Sequence, residues 1–197
     1  MKRVFDVIRV VALSSALVVP GLAQAEKLTV DPAHSSITFE AVHLKVSKIP
    51  GHFSEFSGTI DLNEKDITKS KVNFTVQVAS INTNVPKRDE HLRSGDFFDA
   101  AKYPKATFKS TSIKKSGDDL VLEGNLTIRG VTKKATFDVK NLGKAQDPAM
   151  NAEKTIFQAT GKINRKDFGV SYGPDEIVSD MIDLVVNLET VAAPAKK

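Results

Sequence analysis

Alternation of apolar and polar residues with a period of two, interrupted by turn residues and resumed many times, most narrows what this chain can become. Neighbouring side chains on a strand point to opposite faces, so each such run buries one face and wets the other. Ile37, Phe39 and Ala41 alternate with Thr38, Glu40 and Val42; Phe56, Gly58, Ile60 and Leu62 alternate with Ser57, Thr59 and Asp61. Val72, Phe74, Val76 and Val78 continue the pattern, as do runs around Phe108, at Leu120–Ile128, at Phe137–Val139, at Phe157–Ile163 and at Ile182–Leu188. These are eight long strands, preceded by a short one at Leu28–Asp31 that Pro32 stops. Lys115-Ser116-Gly117-Asp118-Asp119 reads as a tight hairpin turn and Arg129-Gly130-Val131 as another, which makes the strands they join antiparallel. The alternating helices of a parallel sheet are missing, so the class is all-β. Periodicity does not choose between a sandwich and a closed barrel. The inward glycines Gly58, Gly124 and Gly161 fit bends or space beside a ligand, and equally relief of crowding in a filled core.

Residues 1–25 read as a secretory signal peptide. Lys2, Arg3 and Arg9 precede an apolar run from Val10 to Val19, and Ala23-Gln24-Ala25 supplies the small-x-small cleavage pattern. A run of about ten apolar residues is too short for a bilayer core that needs about 20, so the mature chain is expected to begin near Glu26 without an integral membrane segment. The segment holds three basic residues and one acidic one; its removal takes the chain's 28 basic and 24 acidic side chains to 25 and 23, net +2. That near balance, with the charges interspersed, argues against nucleic acid as a partner. With no cysteine, the exported domain of residues 26–191 relies on its core, and thiol and zinc–thiolate chemistry drop out. Residues 192–197, Ala-Ala-Pro-Ala-Lys-Lys, read as a disordered tail.

One segment leaves the β rhythm. Pro86 through Gly95 begins with proline and places acids in its first turn, the pattern of one short helix. Phe97 and Phe98 follow it and need a dry place: they either cap an open end of the β structure or line the mouth of a cavity, with Arg88, His91 and Arg93 beside a polar head.

Across nearly the whole mature chain, a series of segments resembles the YceI-like family. They are Asp31-Pro32-Ala33-His34-Ser35, Gly51-His52-Phe53-Ser54-Glu55-Phe56-Ser57-Gly58, Arg88 through Asp99, Tyr103-Pro104, Ala106 through Ser110, Gly124 through Thr132 and Ile163 through Gly169. The resemblance implies an extended, eight-stranded antiparallel lipocalin-like β-barrel, exported to the bacterial periplasm, that binds a long-chain isoprenoid (polyprenyl lipid or isoprenoid quinone) or a similar fatty amphiphile. Candidate lipid-lining residues are Phe39, Phe53, Phe56, Phe74, Val76, Val78, Leu92, Phe97, Phe98, Phe108, Leu122, Leu126, Phe157, Ile163 and Phe168. Arg88, His91, Arg93 and Arg165 are head-group candidates by motif position, with pairing to Asp89, Asp96 or Asp167 as the structural alternative. No cofactor beyond a bound lipid is implied, and a strand at the barrel rim is a place for a homodimer to form. The competing function is a barrel filled by its own side chains that works through surface loops.

Catalytic and metal motifs fail on context. Gly169-Val170-Ser171-Tyr172-Gly173 matches the nucleophile elbow of α/β-hydrolases, but Pro174 follows it, and all four histidines (His34, His43, His52, His91) precede Ser171. The histidines show no H-x-H or H-E-x-x-H spacing, and Asp61 through Asp66 lacks the glycine and distal glutamate of a calcium loop. Asp118 and Asp119 are turn residues, and the Asn73 and Asn125 glycosylation patterns fall inside strands. The expectation is a binding protein, neither an enzyme nor a metal site.

Overall fold

Eleven strands and one α-helix fill residues 25–193, the part of the chain that this computed structural model describes. Apart from Ala25, the expected leader lies outside the described residues, as do 194–197 of the expected tail. Strands β1 (Glu26–Val30), β2 (Ser36–His43), β3 (Ser47–Phe53), β4 (Phe56–Leu62), β5 (Lys71–Gln77) and β6 (Ile81–Asn82) precede α1 (Pro86–Arg93). After it come β7 (Lys105–Ser116), β8 (Asp119–Ile128), β9 (Val131–Asp147), β10 (Ala152–Asn164) and β11 (Met181–Ala192).

The pairings reduce these strands to eight antiparallel rails. Strand β1 pairs with β4, and β2 with β3, in one nearly continuous hairpin, so β1–β2 is a single bent rail and β3–β4 the next. Strands β5 and β6 form the third, against β4 and β3. Strands β7 to β11 then follow in order, and β11 pairs with both β1 and β2. The meander therefore closes on itself as an eight-stranded antiparallel β-barrel.

Two features of the first hairpin differ from the sequence reading. The short strand at Leu28 and the run at Ile37 are two halves of one rail, bent where Pro32 lacks an amide hydrogen and Asp31 accepts a hydrogen bond from the Ala33 amide. Strand β3 was not expected, because Pro50 and Gly51 interrupt its alternation. It forms at an edge, where proline loses no ladder bond. Its outer side pairs with β6 only at His52 and Phe53, and Pro50 and Lys48 oppose the addition of another strand along the rest. At the other terminus Ala192 pairs with Leu28 and the Ala193 amide donates to the Lys27 carbonyl, so ordered pairing passes the expected boundary at 191.

The two barrel ends are built differently. At the helix end sit α1, the Arg129-Gly130 turn and a short 3-10 turn at Arg165–Phe168. The far end holds the Gly117-Asp118 and Asp147–Ala152 turns. Inward side chains near the far end, among them Leu28, Ile60, Leu62, Ile113, Leu120, Val139 and Phe157, are all less than a tenth exposed and form a solid plug.

Candidate functional site

Above the plug the barrel is hollow. A cavity of about 230 Å³ runs between the plug and the helix end. A single water needs about 10–15 Å³ on this scale, so the space takes on the order of fifteen water-sized spheres. Its wall is carbon: phenylalanine, leucine, isoleucine, valine and alanine from β2, β3, β5, β7, β8, β9, β10 and β11, with Leu92 of α1 and Phe97 and Phe98 beyond it. The polar residues on the wall are Thr107, exposed on its outer face, and Arg165.

Four glycines keep the space open. A Cβ built on Gly51, Gly58, Gly124 or Gly161 would overlap the ring of Phe39, Phe74, Phe108 or Phe137. Gly51, Gly58 and Gly161 lie directly across from their phenylalanines, and Gly124 lies diagonally from Phe108. Each ring thus reaches over a bare stretch of neighbouring strand. A larger residue there would turn the ring into the lumen. Between the readings of Gly58, Gly124 and Gly161, the structure favours space for a hollow interior, and Gly51 joins them.

Thirteen of the fifteen residues expected to face a lipid line this cavity. Phe157 does not, because it belongs to the plug at 6% exposure, and neither does Phe56, whose ring stacks on Phe74 with centroids 6.0 Å apart. The alternation also predicted inward positions that join the wall without having been singled out, such as Ile37, Ala159, Ile182, Leu184 and Val186. Phe97 and Phe98 take both roles open to them: they cap the helix end and line the cavity beneath it. Phe98 meets Phe53 edge-on at 6.2 Å, and Phe53 lies 5.6 Å from Phe39.

The four head-group candidates are committed elsewhere. Arg88 donates to the Thr83 hydroxyl and carbonyl, and Arg93 to the Ala79 and Ile81 carbonyls, so both tie α1 to the third rail. His91 pairs with Asp96 at 2.9 Å and lies edge-on to Phe97 and Tyr172. Arg165 is 5% exposed, and its guanidinium donates to the carbonyls of Val170, Tyr172, Gly173, Val178 and Ser179 and to Asp180. Burial lowers its pKa from the ordinary arginine value, with Asp180 and Asp175 acting in the opposite direction. It has no donor left for a ligand, and it shapes the 170–180 loop. Arg165→Met should strip those carbonyls of a shared partner and cost about 2 kcal/mol of stability. The loss would appear as a lower thermal midpoint and faster amide exchange across 170–180; unchanged exchange there would refute the assignment.

Arg129 was not singled out from sequence. In a left-handed conformation (φ 50°) at the β8–β9 turn, it donates to the carbonyls of Gly95, Phe97 and Gly169. It thereby fastens the segment after α1 to the 165–169 turn across the barrel end.

Lys154 is another residue that the sequence did not single out. Its ammonium lies 2.9 Å from Asp31, 3.0 Å from Asp147 and 2.9 Å from Glu189, with only 5% of its side chain exposed. The Lys154 and His34 hydrogen bonds hold the Asp31 carboxyl down to about 2, and the three carboxylates raise the lysine above its ordinary value. Asp31, His34 and Glu189 are close enough to ligate a metal ion, but the Lys154 ammonium donates to both carboxylates and His34 Nδ1 is engaged with Asp31. The Gly169–Gly173 motif forms a loop with no strand before it or helix after it, and no histidine bonds to Ser171 among the described residues.

This barrel matches known proteins along its length. A family model for the YceI-like domain matches residues 28–190. The chain belongs to the YceI-like family. Protein YceI of Escherichia coli O17:K52:H18 is 42% identical over 167 residues, which cover 84% of this chain and 85% of the relative. Among solved structures, BcnA of Burkholderia cenocepacia superposes with a TM-score of 0.72 at 27% identity, covering 81% of this chain and 98% of BcnA. A polyisoprenoid binding domain from Saccharophagus degradans shares the fold, with a TM-score of 0.62 at 16% identity over 84% of this chain and 98% of that domain. The YceI-like fold expected from the sequence motifs is thus the fold observed.

Proposed function

We propose that this protein is a binding and carrier protein for a long-chain isoprenoid, such as a polyprenyl lipid or isoprenoid quinone, or a like amphiphile. It would work in the periplasm after loss of residues 1–25. The observation that carries this reading is the carbon-walled hollow above the plug, kept open by glycines that let phenylalanine rings lie against the wall. Each methylene-sized group moved from water into such a space gains roughly 0.8 kcal/mol, so a prenyl chain needs little polar recognition to bind tightly. That a domain of the same fold in Saccharophagus degradans is a polyisoprenoid binding domain supports the reading. A barrel filled by its own side chains and acting through loops is disfavoured, since only the far end is filled. Enzymatic work is disfavoured by the loop context of Ser171 and by the commitment of the polar groups around the cavity to the backbone and to one another.

Protein expressed with its leader and purified from the periplasmic fraction, then extracted with organic solvent, should yield a prenyl lipid at near-stoichiometric amount by mass spectrometry. Recovery of none, together with no binding of prenyl lipids in titration, would overturn the carrier reading.

A further inference from the structure

An amphiphile in this barrel must put its polar end somewhere, and the cavity gives it no partner: Thr107 is exposed on the outer face and the guanidinium of Arg165 is fully engaged. A polar group left unpaired among hydrocarbon is strongly disfavoured, so the head has to sit at an opening. The plug closes the far end. The helix end is fastened by Arg129 and by the contacts of Tyr172 with His91 and Phe97.

The wall is interrupted in the first hairpin. Thr29 pairs with Thr59 and Ile37 with Phe53, so one rail advances eight residues while the other advances six, with no ladder pair between. The bend at Pro32–His34 carries one side away, while the Ser54 and Glu55 amides turn to Ser80 on the other. Over the gap lies an outer hollow of about 300 Å³. Ile37 and Phe53 border both this hollow and the inner cavity, so there the wall is one side chain thick. Ser36, His52, Ser54 and Asn84 are on its border, which includes no Lys, Arg, Asp or Glu.

Resting on the carrier reading, we propose that this side hollow holds the ligand's head group and that the chain enters the barrel past Phe53. The head is uncharged and hydrogen-bonding, a hydroxyl or carbonyl rather than a phosphate, because the border offers hydroxyls, an imidazole and an amide but no fixed cation. Phe53 is the gate, resting between Phe39 and Phe98 when closed.

The absence of cysteine allows a direct test. Single thiols introduced as Ser54→Cys at the hollow, Ile177→Cys at the helix end and Asp118→Cys at the far end are labelled with a fluorophore. Each is then mixed with a geranylgeranyl chain bearing an uncharged nitroxide at its head. Quenching should be at least five-fold stronger at position 54 than at 177 or 118; strongest quenching at 177 or 118 overturns the side entry. Co-elution of the nitroxide signal with the protein reports binding separately, and its absence overturns the carrier reading itself. In displacement of the same probe, geranylgeraniol should act at a ten-fold or lower fraction of the concentration needed for geranylgeranyl diphosphate. Equal potency, or a stronger diphosphate, refutes the uncharged head.

Discussion

Lys154→Ala is expected to lower the thermal midpoint by roughly 10 °C, a larger loss than an outward-facing strand lysine ordinarily carries. The position alternates with the inward residues of β10, and Glu189 with those of β11, so the cluster sits on the outer wall. There the Pro32–His34 bend and the Asp147 turn cover it. Removing the ammonium leaves Asp31, Asp147 and Glu189 facing one another with little water, a like-charge cluster without its counter-ion. Acid has a related effect on the unaltered protein. The Asp31 carboxyl is held at about 2, below the ordinary 3.8, so its contribution is complete above about pH 4 and is lost as the pH falls toward 2. In Lys154→Ala that depression loses its main cause, and the acid limb of stability between pH 4 and 2 should flatten. Midpoints measured by circular dichroism against pH for both proteins test this. An alanine variant that unfolds at the same temperature as the parent would show that the cluster is immaterial.

Ala159→Trp should reduce prenyl-lipid affinity about 100-fold while leaving the barrel folded. Ala159 faces the cavity from β10, beside Gly161 and opposite Val139 and Val186. An indole there occupies lumen that a ligand chain would otherwise fill. Excluding three or four methylene-sized groups from burial costs about 3 kcal/mol, and every 1.4 kcal/mol is a factor of ten. Because the side chain enters an existing hollow rather than a filled core, the overpacking cost should be small. Titration with a fluorescent prenyl analogue, with the thermal midpoint as control, separates the two effects. Undiminished affinity in a folded variant would mean that the cavity does not hold the chain.

Most of the inward apolar side chains were legible because alternation is a local property, and thirteen of the fifteen apolar residues selected do line one cavity. Phe157 has the same pattern as Phe137 but lies a few residues nearer the plug, and depth along a barrel leaves no trace in periodicity. The arginines were the converse. Arg88, Arg93 and Arg165 stand in the family's motifs and here give their donors to Thr83 and to backbone carbonyls, and a motif position does not show which atoms a guanidinium reaches. Arg129 stood in a turn and in a family motif without a sign of its role, and Lys154 carried no signal, since a basic residue in a turn or on a strand's outer face reads as solvated until another segment covers it. Strand β3 was missed because proline and glycine are local marks of a break, although an edge position tolerates them.

What the sequence determined by itself is the eight long alternating runs, the antiparallel pairing across their tight turns and the apolar character of the inner face, since turns and two-residue alternation act between neighbours along the chain. Tertiary structure decided where the interior is solid and where it is hollow, which arginines are locked and where the ladder is interrupted. Each of those depends on residues far apart in the chain: Gly161 across from Phe137, Arg129 reaching Gly95, and Lys154 meeting Asp31. Packing and desolvation act between whichever groups closure brings together, and only the closed barrel specifies them.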